Sequence, residues 1–160
     1  MANTRYTEAE AEAKFLWFSG LNSFALAVFW SNDFVHAWME KIGAEKYWFG
    51  VYMVFFALVF GLLIYSFISM CTVGKSMGKS SPWGFRFKDE YTNALSNKAQ
   101  IFSLGVIMLC LLFVMFGSKP KHNFFGLAEI SIHDFSTVLL SIGFLTYSLP
   151  ILLSYWKKDE

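Results

Sequence analysis

Four stretches of this chain contain no Asp, Glu, Lys, Arg or His: residues 15–30, 47–71, 99–116 and 135–156. Ion-coupled transporters, proton pumps and most intramembrane hydrolases keep an ionisable group or a metal ligand inside the bilayer, where it carries the chemistry. Their usual machinery is therefore excluded from these runs. A haem b held between two transmembrane histidines is excluded for the same reason. Cysteine is scarce. Cys71 and Cys110 would lie ~16 Å apart in depth, so they are not expected to pair, and both read as small buried apolar residues. The chain has no CxxC, HExxH or Gly-x-Ser-x-Gly motif, and no internal repeat relating two halves as in inverted-repeat transporters. The first residues lack a basic n-region, because Glu8, Glu10 and Glu12 face only Arg5 and Lys14. A cleavable signal peptide is not expected.

The 160 residues are 56% hydrophobic and 20% aromatic, which places them outside the usual soluble range and inside a single membrane domain. A helix rising ~1.5 Å per residue needs ~20 residues to cross ~30 Å of hydrocarbon. The last three uncharged runs meet that length. The first requires continuation toward Trp38, or else lies on the surface as an amphipathic helix. The predicted fold is an all-α integral membrane bundle of four transmembrane helices, spanning approximately 15–38, 47–71, 99–116 and 135–156. A basic cytoplasmic loop, 72–98, and an outer loop, 117–134, connect them. Ahead of the first span, Thr7 and Glu10 form a capping box and Glu10 pairs with Lys14 at i,i+4, predicting a short cytosolic helical extension that runs into it.

Orientation follows from the basic residues. Arg5, Lys14, Lys75, Lys79, Arg86, Lys88, Lys98, Lys157 and Lys158 share one side, leaving Lys41, Lys46, Lys119 and Lys121 of the thirteen on the other. The positive-inside rule places both termini in the cytoplasm. Trp30, Trp38, Tyr47 and Trp48 at one boundary, and Trp17, Trp83, Tyr155 and Trp156 at the other, fit interfacial aromatic belts.

Residues 73–84 contain Gly-Lys-Ser twice, but a P-loop needs four residues between its glycines and Gly74 precedes Gly78 by three. The glycines, Ser80, Ser81 and Pro82 are better read as a helix break and turn. Lys75, Lys79, Trp83, Arg86 and Lys88 then form a set suited to anionic lipid headgroups. Asn97 with Gln100 predicts the cap of the third helix, and Asp134 that of the fourth.

Within the spans, polar and small residues follow helical spacing. Ser19, Asn22 and Ser23 mark a face of the first; Gly50, Ala57 and Gly61 one of the second; Thr137, Ser141 and Ser148 one of the fourth. Helices in lipid associate through such small and hydroxyl-bearing stripes, so these are predicted packing or partner faces. Pro150 predicts a kink, since it removes a backbone donor and crowds the carbonyl of Thr146.

All three histidines, His36, His122 and His133, fall on the predicted outer side with Glu129, and they are the candidates for a metal site. No cofactor and no nucleic acid are expected. The functional expectation is a non-enzymatic four-pass protein acting through helix–helix contacts, as a subunit of a membrane complex or a membrane-embedded inhibitor or immunity-type factor. Its expected partners are the bilayer and other membrane subunits or further copies of itself. An oligomeric channel or transporter, and a membrane enzyme or cofactor carrier using the outer His and carboxylate residues, are the alternatives.

Overall fold

The computed structural model describes residues 6–32, 35–36, 45–77, 87–117 and 131–156. These form four helices: α1 (Glu8–Trp30), α2 (Glu45–Gly74), α3 (Glu90–Gly117) and α4 (Ile132–Trp156). The all-helical fold is as composition predicts. Three segments are long and apolar enough to cross a membrane: Phe49–Gly74, Glu90–Met115 and Ile132–Trp156. The first helix is not among them. It is bounded at Trp30, with Ser31 as C-cap donating its N–H to Ala27 O; beyond it Val35 donates its N–H to Ser31 O at 3.1 Å, and the expected continuation to Trp38 lies largely outside the described residues. From Phe15 to Trp30 it has only ~24 Å of uncharged length.

Each helix start has a local cause. At α1 the capping box is present, with Thr7 N–H donating to Glu10 Oε2 at 2.9 Å and Glu10 N–H to Thr7 Oγ1 at 3.4 Å. The third helix begins nine residues before the uncharged run, correcting the expected boundary at 99. Asp89 is the cap: its Oδ2 accepts from Thr92 N–H at 2.8 Å and from Thr92 Oγ1 at 2.6 Å. Asn97 instead lies exposed inside α3, and Gln100 donates to Ser96 Oγ at 3.4 Å. At α4 the cap is Ser131, whose Oγ accepts from Asp134 N–H at 3.0 Å and donates to Asp134 Oδ2 at 2.7 Å. Asp134 is therefore the third residue of a reciprocal capping pair and not the cap itself.

The helices lie in a row. α1 packs along α2 on one side and along α4 on the other, and α4 packs in turn along α3. Contacts from Asn22 to Ser66 and from Ser103 to Gly143 show that these neighbours run antiparallel where joined by successive ties. The row is gathered at the end bearing Lys14, Lys75 and Lys88, called here the basic end. There Ala11, Phe15 and Leu16 of α1, Val73 of α2, Leu95 and Ala99 of α3 and Ile151 of α4 form one buried cluster with Met77 and Phe87. Away from it α2 and α3 present large apolar side chains such as Phe55, Leu58, Ile101 and Leu109 outward. Such surface would be untenable in water and is the ordinary dress of a lipid-facing helix. Cys71 is exposed and Cys110 half-buried, correcting the expectation that both are buried.

Candidate functional site

The most elaborate polar arrangement stands at the basic end, around a residue that spacing gave no reason to select. Glu12 of α1, one turn from that helix's start, is fully buried against the residues that lead into α3. Its Oε1 accepts the N–H of Lys88 at 3.0 Å and its Oε2 the N–H of Asp89 at 2.8 Å. Helix N-termini leave donors unsatisfied and carry a positive partial charge, so a carboxylate there is stabilised by both effects. With Asp89 serving Thr92, two carboxylates from distant parts of the chain complete the start of α3.

Exposed charges surround this junction. Lys88 Nζ donates to Glu8 at 2.6 Å, and the bond together with the charges of Glu8 and Glu12 raises the Lys88 pKa. Glu10 is held below the usual glutamate range, first by the backbone N–H of Thr7, then by the Thr7 hydroxyl and the charge of Lys14. Lys14 Nζ itself sits 3.6 Å from the centre of the Tyr6 ring, a cation–π contact.

From the junction, polar ties run up both flanks of α1. Toward α4, Tyr155 Oη donates to Ala13 O at 2.6 Å and Ser19 Oγ lies 3.5 Å from Tyr147 Oη. Toward α2, the Ser66 hydroxyl is shared between Asn22 Oδ1 and its own-helix Leu63 O, each at 3.0 Å, and Tyr52 donates to Asn32. Between α3 and α4, Ser103 Oγ donates to Gly143 O at 2.8 Å. Two glycines set the closest approaches. A Cβ on Gly20 would fall 2.8 Å from Ile151 Cγ2, and one on Gly143 would fall 2.9 Å from Ile107 Cδ1.

The residues singled out in sequence therefore divide. Ser19, Asn22 and Ser23 lie on the flanks of α1 that meet its neighbours, Ser19 and Ser23 buried and Asn22 bonded to Ser66. Thr137 and Ser148 are buried on α4, but Thr137, Ser141 and Ser148 donate to carbonyls of their own helix, those of His133, Thr137 and Leu145. Gly50, Ala57 and Gly61 are exposed, and nothing lies within 4 Å of a Cβ built on either glycine. Of the headgroup set, Lys75 and Lys88 are exposed, while Lys79, Trp83 and Arg86 lie outside the described residues.

His122 and Glu129 also lie outside them. His36 is half-buried with its ring 6.0 Å from that of Tyr52, and His133 is exposed in the first turn of α4. Among the described residues, no three His, Cys, Asp or Glu side chains are grouped so as to hold a metal ion.

Glu12, Tyr147, Ser66, Gly20 and Gly143 escaped sequence reasoning. The small and polar residues among them belong to the chemical class that marked the other stripes, but a single glycine or serine has no periodic signal of its own. Comparison with protein-family models, curated proteins and solved structures finds no match for this chain.

Proposed function

We propose that this is a non-enzymatic four-pass membrane protein with both termini cytoplasmic, acting through helix–helix contact as a subunit of a membrane complex or as a membrane-embedded inhibitor or immunity-type factor. The observation that carries the reading is the division of small residues between the helices. Those of α1 and α4 are largely taken up by packing inside the chain, whereas Gly50, Ala57 and Gly61 form an exposed stripe on α2. Close approach at small residues is how membrane helices associate when lipid supplies no hydrophobic drive between them. The stripe suits a helix from another subunit.

Passage of α1 across the bilayer is supported by its position between α2 and α4, to both of which it is tied along its length. Charge distribution supports the orientation. The channel alternative is weakened by Asn22, the most polar side chain of the predicted path, because Ser66 already occupies its carbonyl oxygen.

Native mass spectrometry of protein extracted gently from its own membrane tests the reading. A stable assembly with a different membrane protein, lost on Gly61→Leu or Ala57→Leu, is expected. A homo-oligomer that conducts ions in a planar bilayer, with selectivity altered by Asn22→Asp, would replace this reading with the channel.

A further inference from the structure

The two ties between α3 and α4 are widely separated. Tyr91 Oη and Ser154 Oγ meet at 2.5 Å near the basic end, and Ser103 Oγ reaches Gly143 O further along. Beside the seam between these helices lies a groove of about 730 Å³, lined by Ala94, Asn97, Lys98, Ile101, Leu149 and Pro150 among others. The small side chain of Ala94 and the short ring of Pro150 leave the room. The lining is almost wholly carbon, except that Lys98 and Asn97 stand on one wall.

Depth gives the lysine its meaning. The 28 residues of α3 extend for ~42 Å, some 12 Å more than the ~30 Å of hydrocarbon. Residues 99–117 alone supply ~28 Å, which places Lys98 at the edge of the hydrocarbon, the level of lipid phosphates. Asp and Glu are absent from α3 beyond Glu90. Among the described residues Lys98 forms no ion pair with a carboxylate. An exposed cation beside an apolar slot, at the phosphate level, calls for an anion with an apolar tail.

We infer that the groove between α3 and α4 is a binding site for one anionic glycerophospholipid. One acyl chain lies against Ile101 and Leu149, and the phosphate accepts hydrogen bonds from Lys98 Nζ and the Asn97 amide. The volume is within the ~300–1,000 Å³ of small-molecule sites. The inference requires membrane insertion of α3 and α4 only and is independent of what, if anything, binds α2.

The test is native mass spectrometry of the purified full chain in detergent, titrated with dioleoylphosphatidylglycerol or dioleoylphosphatidylcholine. The wild type should retain one phosphatidylglycerol with an affinity about fivefold that for phosphatidylcholine, the advantage expected from one cation near an anionic headgroup. Lys98→Gln should abolish that preference and leave phosphatidylcholine binding unchanged. Ala94→Trp and Leu153→Trp fill the groove from opposite walls and should displace both lipids. All three positions are exposed and lie outside the buried cluster, so circular dichroism should be unaltered. Lys14→Gln, exposed on α1 and outside the groove, should leave the preference unchanged. Equal retention of the two lipids by the wild type would overturn the inference. So would a phosphatidylglycerol preference that survives Lys98→Gln but is lost in Lys14→Gln, or a groove-dependent dimer that excludes lipid.

Discussion

Helices α1 and α2 lie side by side, and the less apolar of the two is the more buried. α1 carries Glu12, Ser19, Gly20 and Ser23 among its buried residues, and both its flanks are occupied by other helices. Along α2, by contrast, residues 49–74 bury only Val59, Ser66 and Val73 while Phe49, Leu58, Tyr65 and Phe67 face outward. In water this ordering would be reversed. In a bilayer the apolar side chain gains nothing by leaving lipid, whereas a hydroxyl, an amide or a bare glycine gains a partner or a closer approach. Polarity is thus the sign of the interior here, and α1 is the helix around which the others are arranged.

The sharpest way to break that contrast is to remove the carboxylate on which α3 begins. Glu12→Ala leaves the N–H groups of Lys88 and Asp89 without their acceptor, and a buried unsatisfied donor costs roughly 1–3 kcal/mol. The expected result is a loss approaching the sum for two donors, read as a shifted unfolding midpoint in denaturant titration of the micellar protein. Hydrogen exchange should rise first in the opening turn of α3. Glu12→Ala on a protein whose α3 start remains as protected as before would show that Asp89 alone suffices.

A smaller effect comes from adding one methyl group on each helix. Gly20→Ala brings a Cβ against Ile151 Cγ2 at 2.8 Å, in a cluster where Ile151 is fully buried and cannot swing away. Overpacking of this kind typically costs about 1–3 kcal/mol. Gly61→Ala meets nothing within 4 Å and should be neutral or slightly stabilising in the isolated chain, since alanine is the better helix former. Equal effects of the two substitutions on the unfolding midpoint would contradict the assignment of α1 as the packed helix and α2 as the open one.

How much of this the sequence discloses depends on the range of the interaction. The uncharged runs announce α2, α3 and α4 because lipid compatibility is written residue by residue. The capping box at Thr7 and Glu10 is equally plain, being closed within four residues. The start of α3 is misplaced because Lys98 interrupts the apolar pattern although the helix continues through it, with Asp89 and Thr92 forming a cap that competes with Asn97. The α2 stripe is legible only in part. A helix apolar all round has no preferred inward face, so small-residue spacing cannot say whether the face meets this chain or another molecule. Glu12 is illegible in principle from local pattern: the N–H groups it serves are 76 and 77 residues away.

The mildest perturbation is pH, and it separates the exposed charges from the buried junction they surround. Glu10 has a lowered pKa, so its contribution is complete above the ordinary glutamate value of ~4.3 and is lost as pH falls through the lower folded value. Lys88 has a raised pKa, so its contribution is complete below the ordinary ~10.4 and is lost as pH rises through the higher folded value. Between these limits the unfolding midpoint should be flat with respect to both groups. Glu10→Gln preserves the shape of the capping box but removes the charge, and Lys88→Met removes the pair with Glu8. Each variant should fall slightly below the wild type at neutral pH and rejoin it at one extreme only, Glu10→Gln in acid and Lys88→Met in alkali. Both differences should shrink in salt, because exposed ions are screened. The two N–H bonds of Glu12 lie at the start of a helix and beneath the surface, where salt penetrates least. A Glu12→Ala deficit that persisted at high salt while the other two vanished would therefore mark the junction as part of the packed interior that α1 organises, and not as one more surface ion pair.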